Sequence, residues 1–478
     1  MLKQSFTADN FEDIYDLENR RRSIKAYLGS SYSEVLAKIK ELDKVSKGII
    51  RKKVSEKSKD DIYILEANKD ERNNLLKKKK EVQRAELEKI SNAINKKNFK
   101  FHLKKNEKDG KDIFVIQENR EAFFAIKQLQ NNIKRTFKVK QSDRHLILSQ
   151  LKLLLNESAP KYLIRVDIKD FFESIPQQKL LDKILNNTLL SVLSKKFITQ
   201  ILEEYNEQMG LSGDDVKKGV PRGVGISSYL AELYLKDIDN KVKSMNDVIY
   251  YARYVDDIII IISPSLPKKE INDYFNAIDS FFNEVDLEIH ATGEKCKLID
   301  LTKKNSEKED RLTYLGYTIN ITQTANNKIE TKYGLSEKKK RKIEDNIKKS
   351  ILHFNEKSKY GLKEARQELL LCLRFLTTNT RLSGAKSKVK TGIYFSNSLL
   401  DNDYKYELEC LNDRLEYLYD SSIDPYENLF LNEDTKNRYI SKLKTAVLAR
   451  SNFKNGFENK TYHYFQNEDL KKIQYILK

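Results

Sequence analysis

Hydrophobic and polar positions follow two patterns along this chain, one helical and one strand-like. From about residue 12 to 95 the pattern is helical and heavily charged, as in "LLKKKKEVQRAELEKI" (Leu75 to Ile90). "NEKDGKDIFVIQ" (Asn106 to Gln117) then predicts a turn and one short strand. The next stretch, "AFFAIKQLQNNIKRTFKVKQSDRHLILSQLKLLL", mixes helical spacing with a dense basic segment. "KYLIRVDIKDFFESI" (Lys161 to Ile175) begins as a strand and turns helical after Phe172. A helical stretch to about Met209, the loop "GLSGDDVKKGVPRGVGISS" and the helix "YLAELYLKDIDNKVKSM" follow. "YARYVDDIIIII" (Tyr251 to Ile262) ends in consecutive isoleucines, the pattern of a buried strand. An amphipathic helix is expected over Ile271 to Val285, and from about residue 332 the chain reads as charged helices. The exception there is "KVKTGIYFSNSLL", with a strand-like middle.

Composition sharpens this picture in two ways. With 15 Gly and 6 Pro among 478 residues there are few breakers, so the chain should be helix-rich and divided into several domains. The formal net charge of +18 favours a polyanionic partner, because lysines and arginines displace counterions from phosphate backbones. Lys77 to Lys80 could touch nucleic acid, but a solvated helix face is the simpler reading. No run approaches the roughly 20 apolar residues that span a bilayer, and "MLKQSFTADNFEDIY" does not read as a signal peptide. The expectation is a cytoplasmic protein without membrane partners. Cys296, Cys372 and Cys410 are far apart, and the five histidines lack metal-ligand spacing. Any metal should therefore be a hard ion held by oxygens.

Two adjacent carboxylates, Asp256 and Asp257, stand at the mouth of the isoleucine strand. A third, Asp167, ends the strand "YLIRV". If the two strands are antiparallel neighbours, these like charges meet over one sheet edge and repel unless cations neutralise them. Two Mg2+ ions would do so, and paired metals are the apparatus of in-line phosphoryl transfer. Taken alone, a pair of aspartates at a strand end is more often an exposed acidic turn.

The order of the surrounding motifs changes that judgement, because the sequence resembles the palm of reverse transcriptases. "YVDD" (Tyr254 to Asp257) matches that family's catalytic hairpin, and "RVDIKDFFESI" its first catalytic motif. "GVPRGVGISSYL" resembles the second motif, "LEIHATGEKCKL" the fourth and "YLGYTI" the fifth, the primer grip. The resemblance implies an α+β right-hand polymerase with fingers, an antiparallel palm sheet and a thumb. It also implies an N-terminal helical region (1–95), fingers and palm (96–330), a thumb-like region (331–400) and a helical extension (401–478). It makes Asp167, Asp256, Asp257 and the backbone carbonyl of Ile168 the metal ligands, and Lys295 the acid that protonates pyrophosphate. Phe172 would exclude ribonucleotides by occupying the space of a 2′-OH. Arg144 would contact the incoming triphosphate with Lys138 or Lys140, and Arg222 and Gly223 would line the nucleotide site. Tyr254, Val255, Tyr314, Leu315 and Gly316 would hold primer and template.

The second motif departs from the family. Arg222 stands where a glutamine is usual and Ser228 where a proline is usual. An arginine there would read a phosphate or a guanine edge. These departures, the fingers segment "NNIKRTFKVKQSDR" and the helical C-terminal third resemble bacterial defence-associated reverse transcriptases of the abortive-infection type. Within these, the chain is similar to the shorter enzyme of a type-three system that pairs two reverse transcriptases. That resemblance implies antiphage defence, a structured non-coding RNA template, a DNA product, oligomerisation and priming from a 3′ or a protein hydroxyl. Among 26 tyrosines, those in "TYHYF" and "IQYILK" lie near the C-terminus, but nothing singles one out as a primer. "FLTTNTRL" and "GIYFSN" are the expected thumb-side RNA contact. The alternatives are a catalytically reduced RNA-binding scaffold, a maturase-like factor and an RNA-dependent RNA polymerase.

Overall fold

The computed structural model describes residues 3–21, 23–52, 58–108, 110–117, 119–213, 216–265, 269–303, 308–324, 328–381 and 390–478. In chain order the first elements are α1 (Ala8–Arg21), α2 (Gly29–Ile50), α3 (Lys59–Ile94), β1 (Leu103–Lys108), β2 (Lys111–Ile116) and α4 (Arg120–Phe137). Then come α5 (Arg144–Asn156), β3 (Tyr162–Asp167), α6 (Phe171–Ser174), α7 (Gln177–Leu185), α8 (Val192–Gln208) and α9 (Ser227–Lys243). The palm is completed by β4 (Val248–Tyr254), β5 (Asp257–Ile262), α10 (Ile271–Asn283), β6 (Lys297–Asp300), β7 (Lys308–Tyr314), β8 (Tyr317–Gln323) and β9 (Ile329–Leu335). The C-terminal part holds α11 (Glu337–Ser358), α12 (Leu362–Thr377), β10 (Asn379–Arg381), β11 (Lys390–Gly392), α13 (Tyr406–Ser422), α14 (Glu433–Arg450), α15 (Phe453–Glu458) and α16 (Asn467–Ile476).

Two compact units emerge, and neither is one continuous segment. The first comprises Met1–Gln141, Ile168–Met245 and Asn276–Ile289; the second comprises Ser142–Asp167, Asn246–Phe275 and His290–Lys478.

In the first unit the helices form where the periodicity placed them, and side chains cap the starts of α3 and α4. Ser58 and Asp61 make a reciprocal capping box at the start of α3, and the Asn119 side chain accepts from Ala122 N–H to start α4. One expectation fails here. "NEKDGKDIFVIQ" belongs to a two-stranded hairpin, because the polar segment Leu103–Lys108 is also a strand. Only Leu103 of β1 is buried, so no alternation advertised it. The strand is fixed from outside itself: the buried Glu204 carboxylate accepts from the backbone N–H of Phe101 and of Leu103, at 3.0 and 2.9 Å.

In the second unit the antiparallel sheet runs β4-β5-β3-β6, followed by the antiparallel meander β7-β8-β9. Ile258 to Ile262 are all fully buried. Helix α5 packs with this sheet through Leu148, Leu151 and Leu155. Its C-terminus is closed by Lys161, itself 1% exposed, whose ammonium donates to the Leu154 and Glu157 carbonyls at 2.5 Å each. These contacts satisfy carbonyls that a helix end leaves open. Burial lowers the pKa of Lys161.

The expected boundary at residue 330 falls inside β9, and Leu335 joins Leu369, Leu408, Leu415 and Val447 in one core. The segments 331–400 and 401–478 thus share a single core. Lys388 and Val389 of "KVKTGIYFSNSLL" lie outside the described residues; among the rest only Lys390–Gly392 pairs, and turns follow where the strand-like middle was expected. A Cβ at Gly392 would lie 2.3 Å from the Thr378 carbonyl oxygen, so the backbones are in close contact there. Among the described residues no helix is long and apolar enough to cross a membrane.

Candidate active site

The register of the palm sheet builds the site. β3 and β5 are antiparallel, with Asp167 directly opposite Asp257. Asp256 occupies the two-residue turn between β4 and β5. One carboxylate oxygen from each of Asp167, Asp256 and Asp257 lies within 4.8 Å of the others. The expected meeting of the first and third motifs is therefore what the pairing produces.

The turn that carries Asp256 is strained. Val255 has φ +62°, a left-handed conformation that β-branched residues rarely adopt, while Asp256 does not share it. Positive φ at the first central position alone is the pattern of a II′ turn, which prefers glycine there. Such a residue persists where its side chain is needed. Val255→Gly is therefore expected to raise stability by about 1 kcal/mol, read as Tm, while lowering primer extension. Lower stability with unchanged extension would remove Val255 from the primer contact.

Burial acts against charge in this cluster. Desolvation raises the pKa of Asp256, and the neighbouring Asp167 and Asp257 charges push it the same way. Asp257 is also raised, first by desolvation, with Arg165 opposing. Two cationic side chains and an imidazole lie against the triad. Lys295 Nζ donates to Asp167 Oδ1 at 2.7 Å, His290 Nε2 lies 3.5 Å from the same oxygen, and Arg165 Nη2 donates to Asp257 Oδ1 at 2.5 Å. Hard oxygen donors held together against their own repulsion fit a divalent cation, so the donor set agrees with the expected Mg2+. Ile168, whose carbonyl was the further expected ligand, directly follows Asp167; it is buried and bridges in register with Ile289.

Other expected residues divide between the units. In the first, Phe172 lies on α6, half-buried. Arg222, expected to read a phosphate or a guanine edge, is paired with a neighbouring acid. Its guanidinium grips the Glu173 carboxylate through Nε and Nη2, at 2.8 and 2.9 Å, and lies 5.2 Å from the centroid of the Phe172 ring. The acid that neutralises it, Glu173, was missed by the sequence reading; its only signal was its place beside the Phe pair. Gly223 has φ +98°, and a Cβ there would sit 2.7 Å from the Phe114 carbonyl oxygen, so glycine is required. Lys138 and Lys140 are both exposed, with Lys138 ending α4 in a left-handed conformation.

In the second unit, Tyr254 ends β4 opposite Asp257, and Tyr314 is buried at the end of β7. Leu315 and Gly316, with φ +43° and +77°, form the two-residue I′-type turn into β8. Arg144 was expected on a triphosphate. Its Nε donates to the Leu315 carbonyl at 2.8 Å, and its guanidinium lies 5.5 Å from the Tyr317 ring centroid. Lys339 lies 5.2 Å from the same ring centroid, and burial and Arg144 lower its pKa to about 7. Arg144→Ala is expected to destabilise the protein by about 1–3 kcal/mol, checked by urea unfolding, because it strips a charged donor from that carbonyl. A change under about 0.5 kcal/mol would make the contact incidental.

The expected RNA contact fares less well. Thr377, Thr378, Asn379 and Thr380 are buried, and Asn379 donates to the Gly456 carbonyl and accepts from Tyr394 N–H. These polar groups hold the C-terminal core together; Leu382 lies outside the described residues. Lys77, Lys78 and Lys80 lie on an exposed face of α3. Tyr462, Tyr464 and Tyr475 are exposed.

Residues 116–319 match the family model described as reverse transcriptase (RNA-dependent DNA polymerase). That stretch is similar to a reverse transcriptase domain, and the fold is that of a right-hand polymerase. No curated protein sequence matches it. Among solved structures, it is similar to an apo telomerase from Candida tropicalis truncated from the C-terminal domain. Identity there is 16% and the TM-score 0.32, covering 48% of this chain and 54% of that one. It is also similar to a Candida albicans telomerase in complex with a TWJ fragment of telomeric RNA. That match has 11% identity and a TM-score of 0.35, covering 78% of this chain and 61% of the other. The chain thus spans less than two thirds of the length of either.

Proposed function

We propose that this protein is an RNA-directed DNA polymerase that adds deoxynucleotides to a 3′ or a protein hydroxyl. The observation that carries the reading is the Asp167–Asp256–Asp257 cluster, built by the β3–β5 register inside a domain matching reverse transcriptases. Asp167, Asp256, Asp257 and the Ile168 carbonyl would hold two Mg2+ ions, which when bound supply charge neutralisation for in-line phosphoryl transfer. Lys295 stands ready to give a proton to departing pyrophosphate. Phe172 selects the sugar, and Lys138 or Lys140 attracts the triphosphate. Tyr254, Val255 and the Tyr314–Gly316 turn hold the primer end, the last stiffened by Arg144.

The motif departures at Arg222 and Ser228, together with the helical C-terminal part, support a defence-associated role. In that role the template is a dedicated structured non-coding RNA, and the product is DNA. The protein acts in the cytoplasm as an oligomer or beside a second reverse transcriptase. Its charge of +18 suits a polyanionic partner.

The test uses protein purified with its bound nucleic acid. Mg2+ and labelled dNTPs are added singly and together, with the Asp256→Ala/Asp257→Ala variant as control. The products are then treated with protease, RNase or DNase. Incorporation by the wild type alone is the expected result, and its dNTP requirement reads out the template. A protease-sensitive shift identifies protein priming. Tight RNA binding without incorporation would replace the polymerase reading with that of an RNA-binding scaffold.

A further inference from the structure

Arg165 is a charged residue in the middle of the palm sheet, paired in register with Ile259 of β5 and Lys297 of β6. It is 8% exposed. Alternation along β3 puts it on the same face as Leu163 and Asp167, diagonal to Asp257. A buried guanidinium is costly unless its donors are used. Two of them are: Nη2 donates to Asp257 Oδ1 at 2.5 Å, and Nη1 donates to the Glu294 backbone carbonyl at 2.7 Å. Nε is buried without a partner.

The second contact gives this arginine a meaning beyond charge balance. Glu294 belongs to the single helical turn Gly293–Lys295, and the next residue, Lys295, places its ammonium on Asp167. The residues form a closed circuit. Asp167 and Asp257 face each other in register, Lys295 binds the first, Arg165 binds the second, and the Glu294 carbonyl joins the two cations. We propose that Arg165 is a positioning residue that uses one fork to fix two catalytic groups, the Asp257 carboxylate and the Lys295 ammonium. Side-chain contact with Asp167 alone would let Lys295 drift whenever another cation takes that oxygen. The Arg165–Glu294 contact holds the backbone turn, so Lys295 stays beside the carboxylates after its ion pair opens. No other cationic side chain could do both tasks equally well. A lysine presents one ammonium centre, whereas the guanidinium presents separate, planar donors to a carboxylate and a carbonyl.

The sharp variant is therefore Arg165→Lys, which keeps a cation for Asp257 and gives up the fork to Glu294. Lys295 is followed by timed amine acetylation and peptide mass spectrometry, with and without Mg2+, a readout independent of activity. Faster acetylation of Lys295 in Arg165→Lys, by about 3-fold or more, is expected, with the larger difference in Mg2+. Single-turnover dNTP incorporation should fall by about 10–100-fold, as when a supporting contact is lost, with KM for dNTP little changed. The Arg165→Lys/Lys295→Met double variant should be no slower than Lys295→Met alone. Should Arg165→Lys fold poorly, Arg165→Met/Asp257→Asn removes both charges, leaves no orphan carboxylate, and is read by the same labelling. Unchanged acetylation of Lys295 would overturn the proposal, as would additive losses in the double variant. The kinetic arm rests on the polymerase reading and the labelling arm does not. A wild type that incorporates nothing would thus count against that reading, while the labelling would still decide the role of Arg165.

Discussion

Asp256→Asn should abolish nucleotide incorporation while making the metal-free protein more stable. A loss of ~10³-fold or more in turnover is expected, equivalent to about 4 kcal/mol of transition-state stabilisation. The opposite effect on stability follows from the electrostatics. Asp256 is raised above the ordinary carboxylate range by burial, with its two acidic neighbours adding to the shift. A carboxyl whose folded pKa exceeds its unfolded one binds protons more tightly in the native state. Its contribution is complete below the unfolded pKa and is lost as pH rises through the folded one. At neutral pH the ionised carboxylate therefore weighs against folding, and the neutral amide does not. Asp257 has the same sign, moderated by Arg165. The metal-free wild type should accordingly lose stability as pH climbs above the normal carboxylate value. Mg2+ should restore it, and the restoration should fade in Asp256→Asn. Thermal melts across pH, with Mg2+ or EDTA, provide the check. A lower Tm for Asp256→Asn in EDTA would mean the carboxylate is a structural ligand of something else.

The second large effect concerns the sugar. Phe172→Val is expected to raise ribonucleotide incorporation relative to deoxynucleotide by about 10–100-fold, the range set by adding or removing a few carbons in a snug pocket. The structure adds a companion effect. The Arg222 guanidinium covers one side of the Phe172 ring while its fork holds Glu173, the next residue on α6. Arg222→Gln, which restores the residue usual in this motif, removes both contacts. It should loosen Phe172 and give a smaller shift in the same direction. Competition between rATP and dATP in primer extension measures both. Continued exclusion of ribonucleotides by Phe172→Val would assign sugar selection to another side chain.

β3, β5, the hairpin that leads into β5 and the carboxylate cluster were legible, because each depends on local signals that coincide, whereas β6 to β9 were not read as strands and the end of β9 falls where charged helices were expected. An apolar run makes a strand, and period-two alternation then puts Asp167 and Asp257 on one face once β3 and β5 pair. What was hidden depended on partners far away in sequence. Arg165 looks like an outward-facing position in "YLIRV", and only the third strand, β6, and the turn before it bury its head. The Arg222–Glu173 pair joins two motifs 49 residues apart, so neither residue announces the other. β1 escaped because its solvent-facing residues show no period. "GIYF" looked like a strand by propensity, but the Asn379 side chain takes the Tyr394 N–H that a ladder would have used. The thumb-side threonines were read as ligand contacts by composition, and packing had already claimed them.

The broken path of the chain through the two units bears on how the protein comes into being. β3 leaves the ribosome long before β5 and β6, its neighbours on either side. A fully buried strand must therefore wait unpaired during synthesis while α6 to α9 emerge. Closing so long a loop carries an entropic cost before any contact offsets it. The helices from α11 to α13, by contrast, gather around neighbours close in sequence. The palm sheet is thus the slow step of maturation, and nascent chains that stop before residue 300 expose β3 with its ladder incomplete. The feature that brings three carboxylates together also leaves the unfinished chain with an unpaired apolar strand.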